Sequence, residues 1–167
     1  MNVFIHDLAH QDDVQGFISP DSTWHVISEQ DAFSSCKGCF DCWVKTPGTC
    51  IIKDGYESLG QMMGQSEIIR IVSRCLYGSE SPFVKSVLDR SISFVLPLFT
   101  IRKGRMRHRM RYKNTPTLHV LFYGVSSKSA EANTARRLVE AQARNLMIHS
   151  VEVAFYETLA ALKADYL

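Results

Sequence analysis

Four of the chain's five cysteines lie in one short segment, CKGCFDCWVKTPGTC, at positions 36–50. Cys36, Cys39 and Cys42 are each separated by two residues. Cys50 follows after seven more. Thiolates at this close spacing let one loop wrap one metal cluster, as in the compact cysteine run of [4Fe–4S] proteins, with a fourth ligand nearby. Structural zinc usually takes two well-separated cysteine pairs, which this segment lacks. Uncoordinated or redox-active thiols are the remaining alternative.

The composition is typical of one globular domain. The chain has 167 residues, 46% of them hydrophobic and 22% charged, which is enough to bury a core, so we expect a single domain over residues 1–167. A net charge of +2 gives no overall field that would favour nucleic acid or a membrane surface. The start has no secretory pattern, and the apolar stretch Ile92–Ile101 is too short to span a bilayer. We therefore expect a cytoplasmic protein with reduced thiols and no membrane partner.

Strand-like and helix-like segments alternate along the chain. Strands separated by helices imply a parallel sheet covered on both faces, with crossovers of right-handed sense. In such sheets ligands bind outside the carboxyl ends of the strands, where the strand order switches. The apolar or β-branched runs predict strands at 2–6, 24–28, 67–73, 117–123 and 148–155, and helical spacing predicts helices at 54–65, 81–91, 129–145 and 158–164.

The loop after the third predicted strand could bind a flat ligand. Tyr77-Gly78-Ser79 leaves the strand, and Ser81 precedes a helix that has Pro82 in its first turn. Gly78 would let the backbone approach a ligand closely, and Tyr77 offers an aromatic face. Backbone amides together with Ser79 and Ser81 could bond the polar edge of a heterocycle. A tight strand–helix turn would use the same residue types, so the residues alone leave both interpretations open.

Two motifs follow one another in a specific order. The first runs through Cys36-Lys37-Gly38-Cys39, Cys42 and Thr46-Pro47-Gly48-Thr49-Cys50 to Asp54. The second joins Tyr77-Gly78-Ser79 to a helix that carries Lys85 and ends in Leu88-Asp89-Arg90. In both motifs and in its strand pattern, the chain resembles the flavodoxin-like NAD(P)H-dependent FMN reductases. The related iron–sulfur flavoproteins use a compact cysteine run in the same place.

The resemblance implies a three-layer α/β/α flavodoxin-like fold, with a five-stranded parallel sheet of order 2-1-3-4-5. It implies an FMN-dependent NAD(P)H oxidoreductase that passes electrons to a flavin, quinone or other small acceptor. The iron–sulfur flavoproteins imply a [4Fe–4S] cluster on Cys36, Cys39, Cys42 and Cys50, whereas many other relatives with this segment are plain flavin proteins. The cofactor-binding residues would be Ser73, Arg74, Leu76, Tyr77, Gly78, Ser79, Ser81, Tyr123 and Gly124.

The segment after the first predicted strand departs from the family pattern. Relatives place a Ser/Thr/Gly-rich loop there, which holds the FMN phosphate at a helix N-terminus. Here 6–13 contains no glycine and no hydroxyl residue, and its three carboxylates would repel a phosphate dianion. The interval before the second strand is also short for a loop and a full helix. The alternative is therefore a degenerate flavodoxin-like scaffold or binding protein that has lost FMN with its phosphate loop.

The segment RKGRMRHRMRYK, at 102–113, alternates basic and other residues. This pattern suits an extended ribbon with one cationic face, within an arm at about 93–116. Such an arm could reach a neighbouring subunit and bring positive charge to a phosphate of FMN or NADPH, or it could be a solvated hairpin. One short patch is weak support for nucleic-acid binding. We expect a homo-oligomer that associates through residues 93–113.

Overall fold

The computed structural model describes residues 1–9 and 11–166, and for residues 11–13 it describes the backbone alone. The helices are α1 (Asp41–Val44), α2 (Leu59–Gln65), α3 (Pro82–Arg90), α4 (Ala130–Asn145) and α5 (Leu159–Tyr166), with 3₁₀ segments at Gln11–Phe17 and Ser91–Phe94. The strands are β1 (Asn2–His6), β2 (Trp24–Ser28), β3 (Ile68–Arg74), β4 (Val95–Arg102), β5 (Arg105–Met110), β6 (Thr117–Tyr123) and β7 (Ser150–Tyr156).

Five of these strands form a parallel sheet in the order β2-β1-β3-β6-β7. This is the predicted order 2-1-3-4-5 once β4 and β5, which form a separate hairpin, are left out of the numbering. The register places Ile5 beside Ile27 on one side and beside Ile71 on the other. The predicted parallel sheet and its strand order are therefore confirmed.

Alternate residues of the central strands face two separate apolar clusters. Val3 and Ile5 lie in a cluster with residues of α2, α3 and α4. Phe4 lies in a second cluster with Phe17 of the first 3₁₀ segment and Leu162 of α5. Because successive side chains of a strand point to opposite faces, the two clusters are the two layers between sheet and helices. The helices thus cover both faces of the sheet.

Hydroxyl side chains cap the two longest helices. The Ser81 Oγ accepts a hydrogen bond from the Val84 amide at 3.4 Å, and Pro82 takes the first helical position. The Ser129 Oγ accepts one from the Ala132 amide at 3.0 Å. These bonds satisfy amides that have no partner within a helix, which explains where α3 and α4 begin.

The structure differs most from the predicted element bounds at the starts of one helix and one strand. The helix predicted from Asp54 begins at Leu59, because the Asp54 carboxylate is committed to an ion pair with Arg90 instead of a helix start. The last predicted strand begins at Ser150, not at 148. Met147 has a left-handed φ of 59°, and the Ile148 amide donates to the Ala143 carbonyl oxygen, so this stretch ends α4.

The chain between β1 and β2 has no full α-helix in its described part. The 3₁₀ segment Gln11–Phe17 takes that place, as the short interval predicted. His10 lies outside the described residues. Among the described helices, none has both the length and the apolar character needed to cross a bilayer.

The strands β4 and β5 form an antiparallel hairpin that we call the arm. Lys103 and Gly104 make its turn with φ values of 50° and 71°. The extended ribbon predicted for the basic segment is therefore present. Large apolar side chains are exposed on the arm at Leu98, Phe99, Ile101 and Met106.

Candidate functional site

The candidate site lies at the carboxyl ends of β1, β3 and β6. The chain crosses from β1 to β2 on one side of β1 and continues to β3 on the other, so the strand order switches at this point. Ligands of open α/β sheets bind beside such a switch. The residues that end these strands or follow them directly are Asp7, Arg74 and Tyr123.

Tyr77 and Gly78 form a tight two-residue turn after β3. Leu76 and Ser79 exchange two backbone hydrogen bonds of 3.0 Å, and the two turn residues have φ values of 52° and 75°. Positive φ at both positions is the geometry of a type I′ turn. The Tyr77 side chain is 98% exposed, so its ring is free to contact a flat ligand.

Gly78 lies against helix α4. A Cβ at this position would be 2.8 Å from the Thr134 Cβ and Cγ2 atoms, closer than side chains pack. The sequence predicted that Gly78 would let the backbone approach a ligand, whereas the close approach in the structure is to α4. The glycine is needed here for packing as well as for its φ of 75°.

The amides that the sequence offered to a heterocycle already have partners in the protein. The Gly78 amide donates to the Glu131 Oε1 at 3.1 Å. The Ser81 amide donates to the Ser73 Oγ at 2.9 Å, and the Ser79 amide donates to the Leu76 carbonyl oxygen. A ligand at this turn would therefore meet the Tyr77 ring more readily than the amides.

Glu131 is a residue of this site that the sequence did not point to. It lies in the first turn of α4, where an acidic residue is usually explained by the helix dipole. Its side chain instead holds the Gly78 amide and lies 3.9 Å from the Cys75 Sγ. Burial, and then the nearby Glu131 carboxylate, raise the pKa of the Cys75 thiol. Cys75 is thus a buried thiol that packs as a small apolar side chain.

Asp7 is the central acceptor at the end of the sheet. Its Oδ2 accepts hydrogen bonds from the Arg74 amide at 2.9 Å and from the Ser73 Oγ at 3.2 Å. Its Oδ1 accepts one from the Tyr123 hydroxyl at 3.0 Å. Burial, and then the Asp7 charge, raise the pKa of Tyr123, which keeps that hydroxyl a donor. The carboxylate therefore ties the ends of β1, β3 and β6 together.

Arg74 and Gly124 lie side by side at the same edge. Arg74 is exposed, and a Cβ at Gly124 would be 3.5 Å from the Arg74 Cγ. Gly124 has a φ of 80°, which favours glycine. Among the described residues, the Arg74 guanidinium forms no ion pair.

The described residues do not fit the phosphate of FMN at its expected place after β1. An anion site there would need free amides at a helix N-terminus. The described part of that loop leads into a 3₁₀ segment, and the Asp7 carboxylate takes up the Arg74 amide, the Ser73 hydroxyl and the Tyr123 hydroxyl. A negative charge stands where the phosphate would need positive charge and donors.

The cysteine segment holds four free thiols. Cys36 and Cys39 are exposed, whereas Cys42 and Cys50 are partly buried. Burial, and then the proximity of Cys50 and the other two thiols, raise the pKa of Cys42. Within residues 1–9 and 11–166, no three histidine, cysteine or acidic side chains are arranged to hold a metal ion. Metal binding by these four thiols therefore stays a prediction.

A buried ion pair joins the two sequence motifs. Arg90, from Leu88-Asp89-Arg90, bonds both carboxylate oxygens of Asp54, which follows the cysteine segment. Their side chains are only 1% and 9% exposed. Arg90 also donates to the carbonyl oxygens of Ser34 and Ile52, on either side of the cysteine segment. The hydrogen bonds from Arg90 hold the pKa of Asp54 well below its ordinary value. This pair therefore fixes the cysteine segment against α3.

Trp43 connects the cysteine segment to the base of the arm. Its indole Nε1 donates to the carbonyl oxygens of Val95, at 3.0 Å, and Ile92, at 3.2 Å. Its ring lies 5.3 Å from the His108 ring of β5. The arm and the cysteine segment therefore support each other.

A cavity of about 540 Å³ lies between α3, α4 and the arm. Ile69 and Leu118 form part of its apolar wall, and Phe99 and Arg107 of the arm line its other side. None of the site residues predicted from the sequence lines it. It is separate from the turn at Tyr77.

Comparisons with known proteins identify the fold. No protein-family model matches the chain, and no curated protein matches it. Among solved structures, it is similar to an FMN-dependent NADH-azoreductase of Bacillus anthracis str. Ames Ancestor in complex with FMN, with a TM-score of 0.64 and 12% identity over 99% of this chain and 94% of that chain. It is also similar to an azoreductase of Bacillus anthracis str. Sterne, with a TM-score of 0.60 and 9% identity over 93% of this chain and 86% of that chain. An NADPH-quinone reductase of P. pentosaceus has a TM-score of 0.53 to this chain and 14% identity, over 99% of this chain and 96% of that chain. The chain therefore has the flavodoxin-like fold that the two motifs predicted, and it shares this fold with azoreductases and a quinone reductase.

Proposed function

We propose that this chain is a flavin-dependent NAD(P)H oxidoreductase that passes electrons to a small-molecule acceptor. The observation that carries the proposal is the Tyr77-Gly78 turn, which presents an exposed aromatic ring at the carboxyl edge of a flavodoxin-like sheet. Solved structures with this fold include an FMN-dependent NADH-azoreductase and an NADPH-quinone reductase. These two enzymes support a flavin and a nicotinamide donor for this chain as well.

In this proposal the protein's own residues bind and orient, and they supply no acid or base. Tyr77 stacks on the flat ring system of the flavin, and the Arg74 guanidinium is available to one of its carbonyl oxygens. A bound flavin would supply the hydride and electron transfer between NAD(P)H and the acceptor, which is chemistry that the cofactor carries. The remaining binding residues would be Ser73, Leu76, Gly78, Ser79, Ser81, Tyr123 and Gly124.

A second candidate function is a flavodoxin-like binding protein that no longer uses FMN. The Asp7 carboxylate favours it, since the described residues after β1 do not fit a phosphate. In that case Gly78 would serve packing against α4, and the exposed Tyr77 ring would contact another ligand. The two candidates differ in one property, which is whether the chain binds any flavin.

Two further proposals concern the arm and the thiols. Exposed apolar side chains of the arm support association of two copies of this chain through residues 93–113.

The proposal of a [4Fe–4S] cluster on Cys36, Cys39, Cys42 and Cys50 rests on the spacing of these cysteines alone. Iron and sulfide analysis of anaerobically purified protein decides that point, since a cluster requires both in stoichiometric amounts.

Flavin titration of the purified chain tests the main proposal. Binding should quench the fluorescence of added flavin, and the complex should survive gel filtration. NADH or NADPH should then be consumed in the presence of an added quinone. A protein that leaves flavin fluorescence unchanged would support the binding-protein alternative instead.

A further inference from the structure

We propose that this site binds a flavin without a 5′-phosphate, such as riboflavin, in preference to FMN, and that Asp7 sets the preference. The inference rests on the proposed flavin-dependent function. It concerns the end of the flavin that lies away from the ring system. The evidence is the hydrogen bonding and charge at the carboxyl ends of β1 and β3.

The Asp7 carboxylate is fixed in position. It follows β1 directly, and its own amide donates to the Val72 carbonyl oxygen at 3.3 Å. Three donors from two other strands hold its oxygens, namely the Arg74 amide, the Ser73 hydroxyl and the Tyr123 hydroxyl. A side chain held from two sides does not turn away easily when a ligand arrives, so its charge remains in the site.

Apart from the exposed Arg74 guanidinium, which forms no ion pair among the described residues, the described amides and hydroxyls that could hold a phosphate at this edge are already in use. The Arg74 amide and the Tyr123 hydroxyl donate to Asp7, and the Ser81 amide donates to the Ser73 Oγ. A phosphate would have to break these bonds and then lie beside a carboxylate. Both effects weaken FMN binding relative to a neutral flavin.

The surrounding charges do not offset Asp7. The Glu29 carboxylate lies near enough to contribute to the raised pKa of Tyr123, and the Arg74 guanidinium acts in the opposite sense on the same hydroxyl. Among the described residues, the charges that act on the Tyr123 hydroxyl are thus the Asp7 and Glu29 carboxylates and the Arg74 guanidinium. A phosphate dianion would add further negative charge to this group.

A hydroxyl-terminated chain suits the same carboxylate. An ionised carboxylate offers about four acceptor sites. The Arg74 amide and the Tyr123 hydroxyl fill two of them, and the Ser73 hydroxyl, which also lies 3.1 Å from the Arg74 carbonyl oxygen, reaches a third. The terminal hydroxyl of a ribityl chain is a donor, so it can use the remaining acceptor site. Asp7 thus rejects a phosphate and accepts an alcohol, a discrimination that depends on one side chain.

Parallel titrations of the native chain with riboflavin and with FMN test the inference. We expect riboflavin to bind ~10-fold more tightly than FMN at equal ionic strength. FMN binding as tightly as riboflavin, or more tightly, would overturn the inference while leaving the flavin-dependent function in place. Binding of neither flavin would overturn both.

An Asp7→Asn variant tests the role of the charge. Asparagine keeps the shape and an acceptor oxygen but removes the negative charge, so the ratio of the two Kd values should fall to ~1. Glu140→Gln is the matched control, because Glu140 is an exposed residue of α4 whose carboxylate pairs with Arg144. It removes the same charge and should leave the ratio unchanged. Circular dichroism verifies that both variants are folded. A folded Asp7→Asn variant with the native ratio would contradict the assignment to Asp7.

Discussion

Arg90 and Asp54 explain why two distant sequence motifs occur together. The arginine of Leu88-Asp89-Arg90 lies beneath the cysteine segment and bonds the aspartate that follows it. The Arg90 guanidinium also stacks over the Phe33 ring, with its Cζ atom 5.0 Å from the ring centroid. These contacts leave Arg90 almost wholly buried. Its contacts in the described part of the chain are therefore structural.

The lowered pKa of Asp54 predicts a pH-dependent stability. Its ordinary value is 3.8, and the hydrogen bonds from Arg90 hold the folded value lower. A lowered carboxyl pKa contributes stability above the unfolded value and loses it as pH falls toward the folded value. We expect the free energy of unfolding to fall between pH about 5 and about 2, and to fall less in Asp54→Asn. Urea denaturation at several pH values in this range measures how steeply the unfolding free energy falls with pH in the native chain and in the variant.

The same variant should be costly at neutral pH. Removing one charge of a buried pair leaves the other uncompensated, so Asp54→Asn should lose about 3–5 kcal/mol of unfolding free energy. Asp89→Asn is the control, because Asp89 belongs to the same motif but pairs with Lys85 on an exposed surface. Its loss should stay below about 1 kcal/mol. Equal losses in the two variants would show that the buried pair has no special role.

Tyr77 carries the proposed ligand contact, and its exposure makes it easy to test. Tyr77→Ala should weaken flavin binding by ~10-fold, because it removes one aromatic stacking contact. Tyr77→Phe keeps the ring and should bind like the native chain. Thermal unfolding should change little in either variant, since the side chain is 98% exposed. Unchanged binding in Tyr77→Ala would place the flavin elsewhere.

At the scale of elements, the sequence predicted the parallel strands well because their burial leaves a plain apolar signal. Strand β1 is buried at every position, and its three central residues, Val3-Phe4-Ile5, form an uninterrupted apolar run. The short helix α1 and the late start of α2 were not predictable, since Trp43 and Asp54 there bond partners far along the chain. Glu131 was missed for the same reason, because it bonds Gly78 from 53 residues away.

The arm is the element with the clearest predicted interface. Ile101 and Met106 are paired across its two strands and are 76% and 66% exposed. Replacing both by threonine keeps strand propensity but removes most of the apolar surface. Light scattering should then report a mass closer to that of one 18.9 kDa chain than the native protein gives.

The control for the arm is Val44→Thr. Val44 is 75% exposed on α1, outside residues 93–113. This variant should keep the native mass. A native protein that already has the mass of one chain, or an arm variant that keeps the oligomer, would rule out association through the arm.

At the scale of the whole molecule, the sheet edge and the cysteine segment are organised separately. Asp7 ties the ends of β1, β3 and β6, whereas Arg90 and Trp43 fix the cysteine segment against α3 and the arm. The flavodoxin-like fold was predictable from motif order and strand pattern. The hydrogen bonds of the Asp7 carboxylate were not predictable, because its partners lie 66 to 116 residues away in the sequence. The sequence could show only that the loop after β1 was acidic.

Anaerobic reduction of bound flavin by NADH or NADPH tests the proposed function most directly. The chain, saturated with riboflavin or FMN, is mixed with each nucleotide, and the visible absorption of the flavin is followed. We predict that the absorption bleaches faster than in a mixture without protein, and that an added quinone restores it. If neither nucleotide reduces the flavin faster in the presence of the chain than in the protein-free mixture, the result would contradict the oxidoreductase and favour a binding protein.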